Sequence, residues 1–463
     1  MEQTITNSKR TLIVAIVLSA AFVSILNQTL LMIAMPPIMA DFQINASAAQ
    51  WLTTIYLLTN GILIPITAYL IGRFSNRALL LAALSLFTLG TLIGAFAPNY
   101  PVLLGARVIQ AAGAGIIMPL MQTIILTLYP KEQRGSVMGI AGLVTGFAPA
   151  VGPTLAGWLL TYFTWRHLFY TIFPVALVVI LLVFVFMKNV TPRQEKQFDM
   201  VSIVYSTFGW GGLLYGFSMV GSVGFTSWYV LISLVVGIVS LYMFIRRQFK
   251  LPNPILEFRV FQSKIFTIST SLSVLVYALM IGTQILLTFY VQNVRELSAL
   301  ETGIILLPGA LLMGFMSPIT GKIFDKFGGR GLAMYGFTSI TFALSVYMFL
   351  SVTTPIWIIA ILFAFISLGI AMIMMPLTTA GMNALPGHLM PHGTAVNSTL
   401  RMVGGAIVTA LLVTAMTGTM SFLDDVSSDG MLIGIRLAFA IATILSILGL
   451  ALSVMLKGSK SSS

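Results

Sequence analysis

Long apolar runs separated by short polar breaks organise the whole chain. The first run starts at Thr11 and contains, at 25–31, the string "ILNQTLL". There two amides, Asn27 and Gln28, stand where hydrocarbon is expected. A helix that crosses about 30 Å of hydrocarbon needs about 20 apolar residues. Runs of that length predict fourteen spans, at roughly 12–34, 51–72, 78–97, 102–127, 137–160, 167–187, 200–220, 227–246, 265–290, 302–321, 332–352, 355–381, 396–418 and 431–456. Gly209, Gly211, Gly212 and Gly216 blur the edges around 200–228. The first run follows Lys9 and Arg10 but is too long for a signal peptide, so it is read as a span.

The polar breaks orient the spans. An even count puts both termini on one side. With cytoplasmic termini, nineteen of the twenty-four Lys and Arg residues fall in cytoplasmic segments, including Lys188, Arg193, Lys196, Lys457 and Lys460. Arg166, Arg295 and Arg436 fall in the opposite loops, as does the acidic cluster Asp424, Asp425 and Asp429. This is the positive-inside pattern of a multi-pass cell-membrane protein. Composition agrees: 58% of the 463 residues are hydrophobic, 8% are charged, and the mean hydropathy is +1.01. A soluble domain carries about 25% charged residues. The net charge of +12 sits in short breaks between apolar runs, which argues against nucleic acid and for the lipid bilayer as partner. The chain has no cysteine, so disulfides and thiolate metal sites are excluded.

Three short matches recur at nearly constant offset. "LNQTLL" at 26–31 lies over "GTQILL" at 282–287, which puts Gln284 over Gln28. "AYLIGRFSNR" at 68–77 lies over "GKIFDKFGGR" at 321–330, and "YPKEQRGSVM" at 129–138 over "LPGHLMPHGT" at 385–394. The predicted organisation is an all-α integral membrane fold: a six-helix half in residues 1–190, two inserted helices in 191–262, and a second six-helix half in 263–463. Parallel repeats of this kind characterise transporters that bind substrate near the bilayer midplane and rock one half against the other.

These strings resemble the major facilitator superfamily, specifically its fourteen-span drug:proton antiporter branch. "QWLTTIYLL" at 50–58 resembles the branch's second span, "LGARVIQAAGAG" at 104–115 its motif B, and "GFAPAVGPTLAG" at 146–157 its antiporter motif C. "TWRHLF" at 164–169 and "FDMVS" at 198–202 also fit. Among subgroups, "ILNQTLL" followed by "MPPIM" is most similar to the lincomycin-resistance type exporters of Gram-positive bacteria. The resemblance implies a monomeric exporter of small molecules driven by protons. Two departures stand out. The loop motif between spans 2 and 3 has Gly72 where an acid is usual, although Arg73 and Arg77 are kept; its C-terminal copy retains Asp325 with Lys326 and Arg330. Asn27 occupies a position where many relatives carry a carboxylate.

No Asp or Glu falls within the predicted spans, so a proton carrier must be sought at span ends: Asp41, Asp199, Glu301 or Asp325. Glu301 could instead cap the N-terminus of span 10. His388 and His392 read as solvated loop histidines. Asn27 and Arg107 share a level, about 10 Å and 8 Å from the outer ends of their spans at 1.5 Å per residue. Arg107 then either pairs with Asn27 and Gln28 or snorkels outward, and intramembrane charges generally favour the bundle interior. Arg401, about 8 Å inside span 13, reads as snorkelling to the cytoplasm. Candidate cavity residues are Asn27, Gln28, Tyr56, Asn60, Arg107, Met118, Gln122, Gln284 and Tyr290; a Met stripe serves equally as packing. Span 5, with Gly142, Gly146, Pro149, Gly152, Pro153 and Gly157, reads either as the close-packing seam and bend of a rocking transporter or as static packing.

Walker, dinucleotide and zinc patterns are absent and no catalytic triad can be assembled, so neither enzymatic activity nor a cofactor is expected. The sequence supports efflux of amphipathic drugs or metabolites. A cavity with Arg and amides but no carboxylate prefers neutral, zwitterionic or anionic substrates. An uncoupled or specific exporter of an endogenous anion is the second reading; a non-transporting receptor is the remote one.

Overall fold

A computed structural model describes residues 7–191, 199–423 and 427–456. Arg193, Lys196, Asp424, Asp425, Lys457 and Lys460 lie outside the described residues. The described residues form helices and no strand. In chain order these are α1 (Asn7–Ile33), α2 (Met35–Phe42), α3 (Ala46–Arg73), α4 (Asn76–Ala95), α5 (Tyr100–Leu128), α6 (Arg134–Tyr162), α7 (Arg166–Phe186), α8 (Met200–Val223), α9 (Trp228–Lys250), α10 (Lys264–Phe289), α11 (Ala299–Phe327), α12 (Gly329–Tyr347), α13 (Ile356–Asn383), α14 (Met390–Leu423) and α15 (Ser428–Val454). Lipid offers no hydrogen bonds, so each crossing segment must satisfy its backbone internally, and the helix does so.

Twelve of these helices are long and apolar enough to cross a membrane. The two further long helices are α8 and α12, whose sequences are diluted by Gly, Ser, Thr and Tyr. In α8 those glycines pack against a neighbour. A Cβ on Gly212 would lie 2.7 Å from the Ser233 carbonyl oxygen, and one on Gly237 would lie 2.8 Å from the Leu213 nitrogen, so α8 and α9 meet backbone to backbone. Of the residues that blurred the reading around 200–228, Gly209, Gly212 and Gly216 are thus the contact surface of a helix pair, while Gly211 faces Ile62 of α3.

Side-chain caps set the helix starts. Asn45, Ser75, Asn99 and Ser263 each accept the backbone N–H three residues on, at 2.8, 3.2, 3.0 and 3.3 Å. Glu301 acts at a helix start, as the second member of a capping box. The Ser298 N–H donates to its carboxylate at 2.8 Å, while its own N–H donates to Ser298 Oγ at 3.2 Å.

The long helices alternate in direction, so α1 begins and α15 ends at one face of the molecule, here the terminal face; the opposite one is the far face. Two apolar cores form, one centred on α1 and α3–α7 and one on α10–α15. Each bundle is clasped within itself at the far face. Arg166 pairs with Asp41 at 2.8 Å and donates to the Ala97 carbonyl at 3.1 Å, while in the second bundle Arg436 donates to the Leu350 carbonyl at 2.6 Å.

The bundles meet along α6 and α11. Gly135, Gly139, Gly142 and Gly146 follow helical spacing on α6, and Gly321, Ser317 and Gly314 face them. A Cβ on Gly139 would lie 2.5 Å from the Ser317 carbonyl oxygen, and one on Gly321 would lie 2.2 Å from that of Gly135. The seam therefore lies in the first half of α6, toward the terminal face. Gly152 packs within its own bundle, 2.1 Å from Thr29 Oγ1 by the same measure, and Gly157 has nothing within 4 Å. Only the Gly146 end of the antiporter string belongs to the seam. Pro149 lies further along α6 and is half-buried, while the side chain of Pro153 is outside the described set.

Gly139→Leu should hold the bundles apart at the terminal face. Thr394, fully buried against the first bundle, is a reporter: the chain has no native cysteine, so Thr394→Cys supplies a single thiol. A water-soluble maleimide should label it about ten-fold faster with Gly139→Leu than without, the size of a 1.4 kcal/mol shift in a two-state equilibrium. Equal rates would show that the seam does not control closure.

Candidate functional site

Arg107 is the largest fully buried side chain and is 1% exposed. Its partners come from α3 and α5. Nε donates to the Leu52 carbonyl at 3.3 Å, and a terminal nitrogen donates to the Gln110 side chain one turn on. Gln110 Nε2 donates to Thr91 Oγ1 at 2.8 Å, and that hydroxyl donates to the Phe87 carbonyl at 2.8 Å. The guanidinium carbon lies 4.1 Å from the centroid of the Tyr56 ring, a cation–π contact. Ser24 of α1 and Asn60 lie beside Tyr56. The expected pairing with Asn27 and Gln28 is therefore replaced: a carbonyl, an amide and an aromatic face hold Arg107, and its burial excludes outward snorkelling. Gln110, which ties α5 to α4, was missed. It stands three residues after Arg107, a spacing at which helical side chains meet.

A second group of buried polar atoms has no partner. Asn27 Nδ2 on α1, Asn60 Oδ1 on α3 and both amide atoms of Gln122 on α5 are unpaired. In the second bundle so are Ser269, Ser273 and Thr283 hydroxyls on α10, and Asn397 Oδ1 and Arg401 Nη1 on α14. Buried polar groups are ordinarily paired, so these atoms, on elements of both bundles, are candidate ligand-binding groups; Arg10, Asn76, Thr88, Ser206, Trp210 and Thr409 also carry unpaired buried atoms. Of the other cavity candidates, Gln28, Met118 and Gln284 are half-buried. Tyr290 lies elsewhere, packed in the second core with its hydroxyl donating to the Ser351 carbonyl at 2.7 Å near the far face.

Arg401 overturns its sequence reading. The helix that carries it starts at Met390 and not near 396, so Arg401 is eleven residues in, about 16 Å from the helix start. It is 6% exposed and does not reach the terminal face. The missed signal was Pro391, a first-turn proline that marks the true start. His392, read as a solvated loop residue, is buried in that first turn, and its Nδ1 accepts the Glu257 N–H at 3.1 Å. His388 is exposed.

The loop motifs separate. Asp325, at the end of α11, accepts the N–H groups of Gly135 and Ser136, each at 2.7 Å, and the Ser136 hydroxyl. It thus caps the start of α6 in the other bundle, where a carboxylate is favoured by the helix dipole. Arg134 alongside donates to Asn383 Oδ1 at 2.8 Å, and Thr123 and Thr394 share a hydrogen bond of 3.0 Å. The first-bundle copy forms no such latch from Gly72. Its Arg77 donates inward to the Phe184 carbonyl of α7, while Arg73 and Arg330 are exposed.

Two of the span-end acids are held as ions. The hydrogen bond from Arg166 and then that from Trp165 keep the Asp41 carboxyl below the usual aspartate value, and the bidentate Arg247 does the same for Asp199. Such depressed values mean the stabilisation is fully present above the ordinary value and is lost as pH falls through the native one. Near neutral pH neither acid picks up a proton.

Residues 17–409 match the family model of the Major Facilitator Superfamily. The chain is 56% identical over 97% of its length to an uncharacterized MFS-type transporter, YcnB, of Bacillus subtilis, covering 95% of that protein. It is 38% identical to the lincomycin resistance protein LmrB of Listeria monocytogenes, over 97% of each chain. Its fold is similar to the crystal structure of the human organic anion transporter MFSD10, with a TM-score of 0.71, 13% identity, and coverage of 96% of this chain and 99% of that one.

Arg107 and Arg401 should respond oppositely to removal. Arg107→Met strands Gln110 and the Leu52 carbonyl and should lower stability by about 3 kcal/mol, since hydrogen bonds to a charged group contribute about 1.5–3 kcal/mol. Arg401→Met removes a poorly paired buried charge and should leave the protein as stable or more so. Thermal unfolding of the detergent-purified variants measures both; a larger loss for Arg401→Met would reverse the assignment.

Proposed function

The chain belongs to the major facilitator superfamily, a transporter family and not an enzyme family, and we propose that it is a secondary-active exporter of amphipathic small molecules. One observation carries the preference for neutral, zwitterionic or anionic substrates. The buried unpartnered groups are amides and hydroxyls, the Arg10 and Arg401 guanidinium groups and the Trp210 indole, and no described carboxylate is buried. A site with a cation and no acid attracts lipophilic cations poorly. The similarity to the lincomycin resistance protein of Listeria monocytogenes supports export of a drug-like molecule.

In this reading the protein works as a monomer in the cell membrane, and α8 and α12 cross with the twelve more apolar helices to make fourteen spans. Residues 1–190 and 263–463 are the rocking halves and 191–262 the insert. The positive-inside pattern makes the terminal face cytoplasmic. Hydrogen bonds to the Asp325 carboxylate, from Arg134 to Asn383 and between Thr123 and Thr394 then close the cytoplasmic side, and the α6–α11 seam is the surface on which the halves part. Protons drive the cycle. Asp41 and Asp199, held by arginines, do not serve as carriers. Gly72 offers no equivalent group in the first half, so the latch is one-sided.

Two experiments test the reading. Proteoliposomes loaded with the protein should accumulate neutral and anionic amphiphiles in response to a pH gradient, and lipophilic monocations at most weakly. Strong transport of quaternary ammonium compounds with none of neutral drugs would refute the substrate preference, and transport indifferent to the gradient would refute coupling. In the same assay Asp325→Asn, which removes the carboxylate that holds the α6 start, should slow transport at every pH, whereas Asp41→Asn should leave the pH dependence unchanged. A flattened profile in Asp41→Asn would put the proton site at the far face.

A further inference from the structure

Arg401 on α14 and Arg10 near the start of α1 are the charged members of the unpartnered set, and Arg401 stands in a defined polar cluster. On α14, Thr394 faces α5 of the other bundle, and Arg401 follows seven residues later, two turns on and on the same face. Between them Asn397, 1% exposed, leaves its Oδ1 unpaired. α10 runs alongside in the same direction. A Cβ on Gly393 would lie 3.3 Å from the Phe266 ring, one on Gly404 2.3 Å from Val274, and one on Gly405 3.1 Å from the Tyr277 ring. Ser273 therefore stands level with Arg401, and Ser269, Ser273 and Tyr277 form a stripe at four-residue spacing on that helix. The Ser273 hydroxyl is fully buried and unpaired. On the first-bundle side, Met402 next to Arg401 approaches Gly61, which adjoins Asn60 with its unpaired Oδ1.

The guanidinium has few partners inside the protein. One nitrogen donates to Ser398 Oγ at 3.5 Å, Nη1 has none, and Tyr277 is the electrostatic neighbour. No acid is buried among the described residues to neutralise it. Retaining a desolvated cation without a counter-charge is unfavourable for the protein alone, and such local violations are characteristic of functional sites.

We propose that Arg401, with Asn397 and Ser273, is the subsite that holds the anionic group, a carboxylate or sulfonate, of a transported amphiphile. Arg401 supplies charged N–H donors and the Ser273 hydroxyl a further donor. The amides Asn27, Asn60 and Gln122 across the interface receive the neutral polar part. The anionic end is thus held by the C-terminal bundle and its remainder by the N-terminal one, so that binding requires both. This inference rests on the exporter reading and deepens it by assigning the charge recognition to one residue.

A matched probe pair tests it: anilinonaphthalene sulfonate, and phenylnaphthylamine, which lacks the sulfonate. Binding is measured by equilibrium dialysis with the full chain in nanodiscs of zwitterionic lipid, with empty nanodiscs subtracted. The unmodified protein should bind the sulfonate more tightly than the neutral probe. Arg401→Gln should weaken the sulfonate at least about ten-fold while changing the neutral probe less than about two-fold, and Arg401→Lys should retain much of the sulfonate affinity, as expected for loss of a charge-assisted hydrogen bond. An unchanged ratio of affinities in Arg401→Gln, or equal binding of both probes by the unmodified protein, overturns the subsite while leaving the exporter reading standing. Failure of the unmodified protein to bind either probe overturns both. If anionic lipid added to the nanodiscs abolishes sulfonate binding, Arg401 serves a lipid headgroup and the substrate assignment falls.

Discussion

Inside a membrane-spanning bundle a guanidinium loses its water and must recover hydrogen bonds from the protein. Arg107 recovers them from the Leu52 carbonyl, Gln110 and the face of Tyr56, and in doing so binds α3, α4 and α5 into one unit. Arg401 recovers little, and its neighbours Asn397 and Ser273 are unsatisfied as well. The contrast separates a satisfied cation from the one assigned to the proposed subsite. One cation makes the first bundle rigid, and the other keeps its donors available between the bundles.

Rigid bundles can move against each other only if the surface between them is smooth and its fastenings few. The α6–α11 seam meets the first requirement with glycines and small residues that bring the backbones into contact, with Met313 and Phe324 packing onto the glycines at Gly146 and Gly135. The second is met at the terminal face, where Asp325 holds the start of α6 through backbone N–H groups. A single carboxylate on a helix start is a smaller fastening than a network of ion pairs. The far-face clasps, Asp41 with Arg166 and Arg436 with the Leu350 carbonyl, stay inside each bundle and do not oppose such a motion.

The inserted pair α8 and α9 lies over the joint between α3 and α14. Leu214 enters the notch left by Gly61, Trp51 and Tyr215 stack at 5.8 Å, and Trp210 and Val403 share a small buried cluster. At the terminal face Arg247 holds Asp199, and Gln248 reaches from Ser202 to the Ile255 N–H, so the pair is internally fastened. It touches both bundles through apolar side chains at the joint, contacts that tolerate sliding better than directional hydrogen bonds.

Hydrophobic periodicity and charge placement were enough to read an all-helical membrane protein, because lipid forces long apolar helices. The glycine spacing of span 5 announced a seam, and Glu301 announced a cap, since both depend on residues close in sequence. Partnership was not legible. Whether Arg107 meets Asn27 or Gln110, whether Tyr290 lines a cavity or braces a loop, and whether His392 is solvated or buried are set by which helix faces turn toward each other, and a single helix does not encode that. Arg401 shows the limit most sharply. Its type and position were visible, but its depth depended on a helix that starts six residues before the apolar run, and its lack of partners depended on every helix packed around it. Sequence alone determined which polar residues enter the membrane, because each must be carried there by its own helix. Only the tertiary structure decided which of them are satisfied, because hydrogen bonds between helices are made by packing.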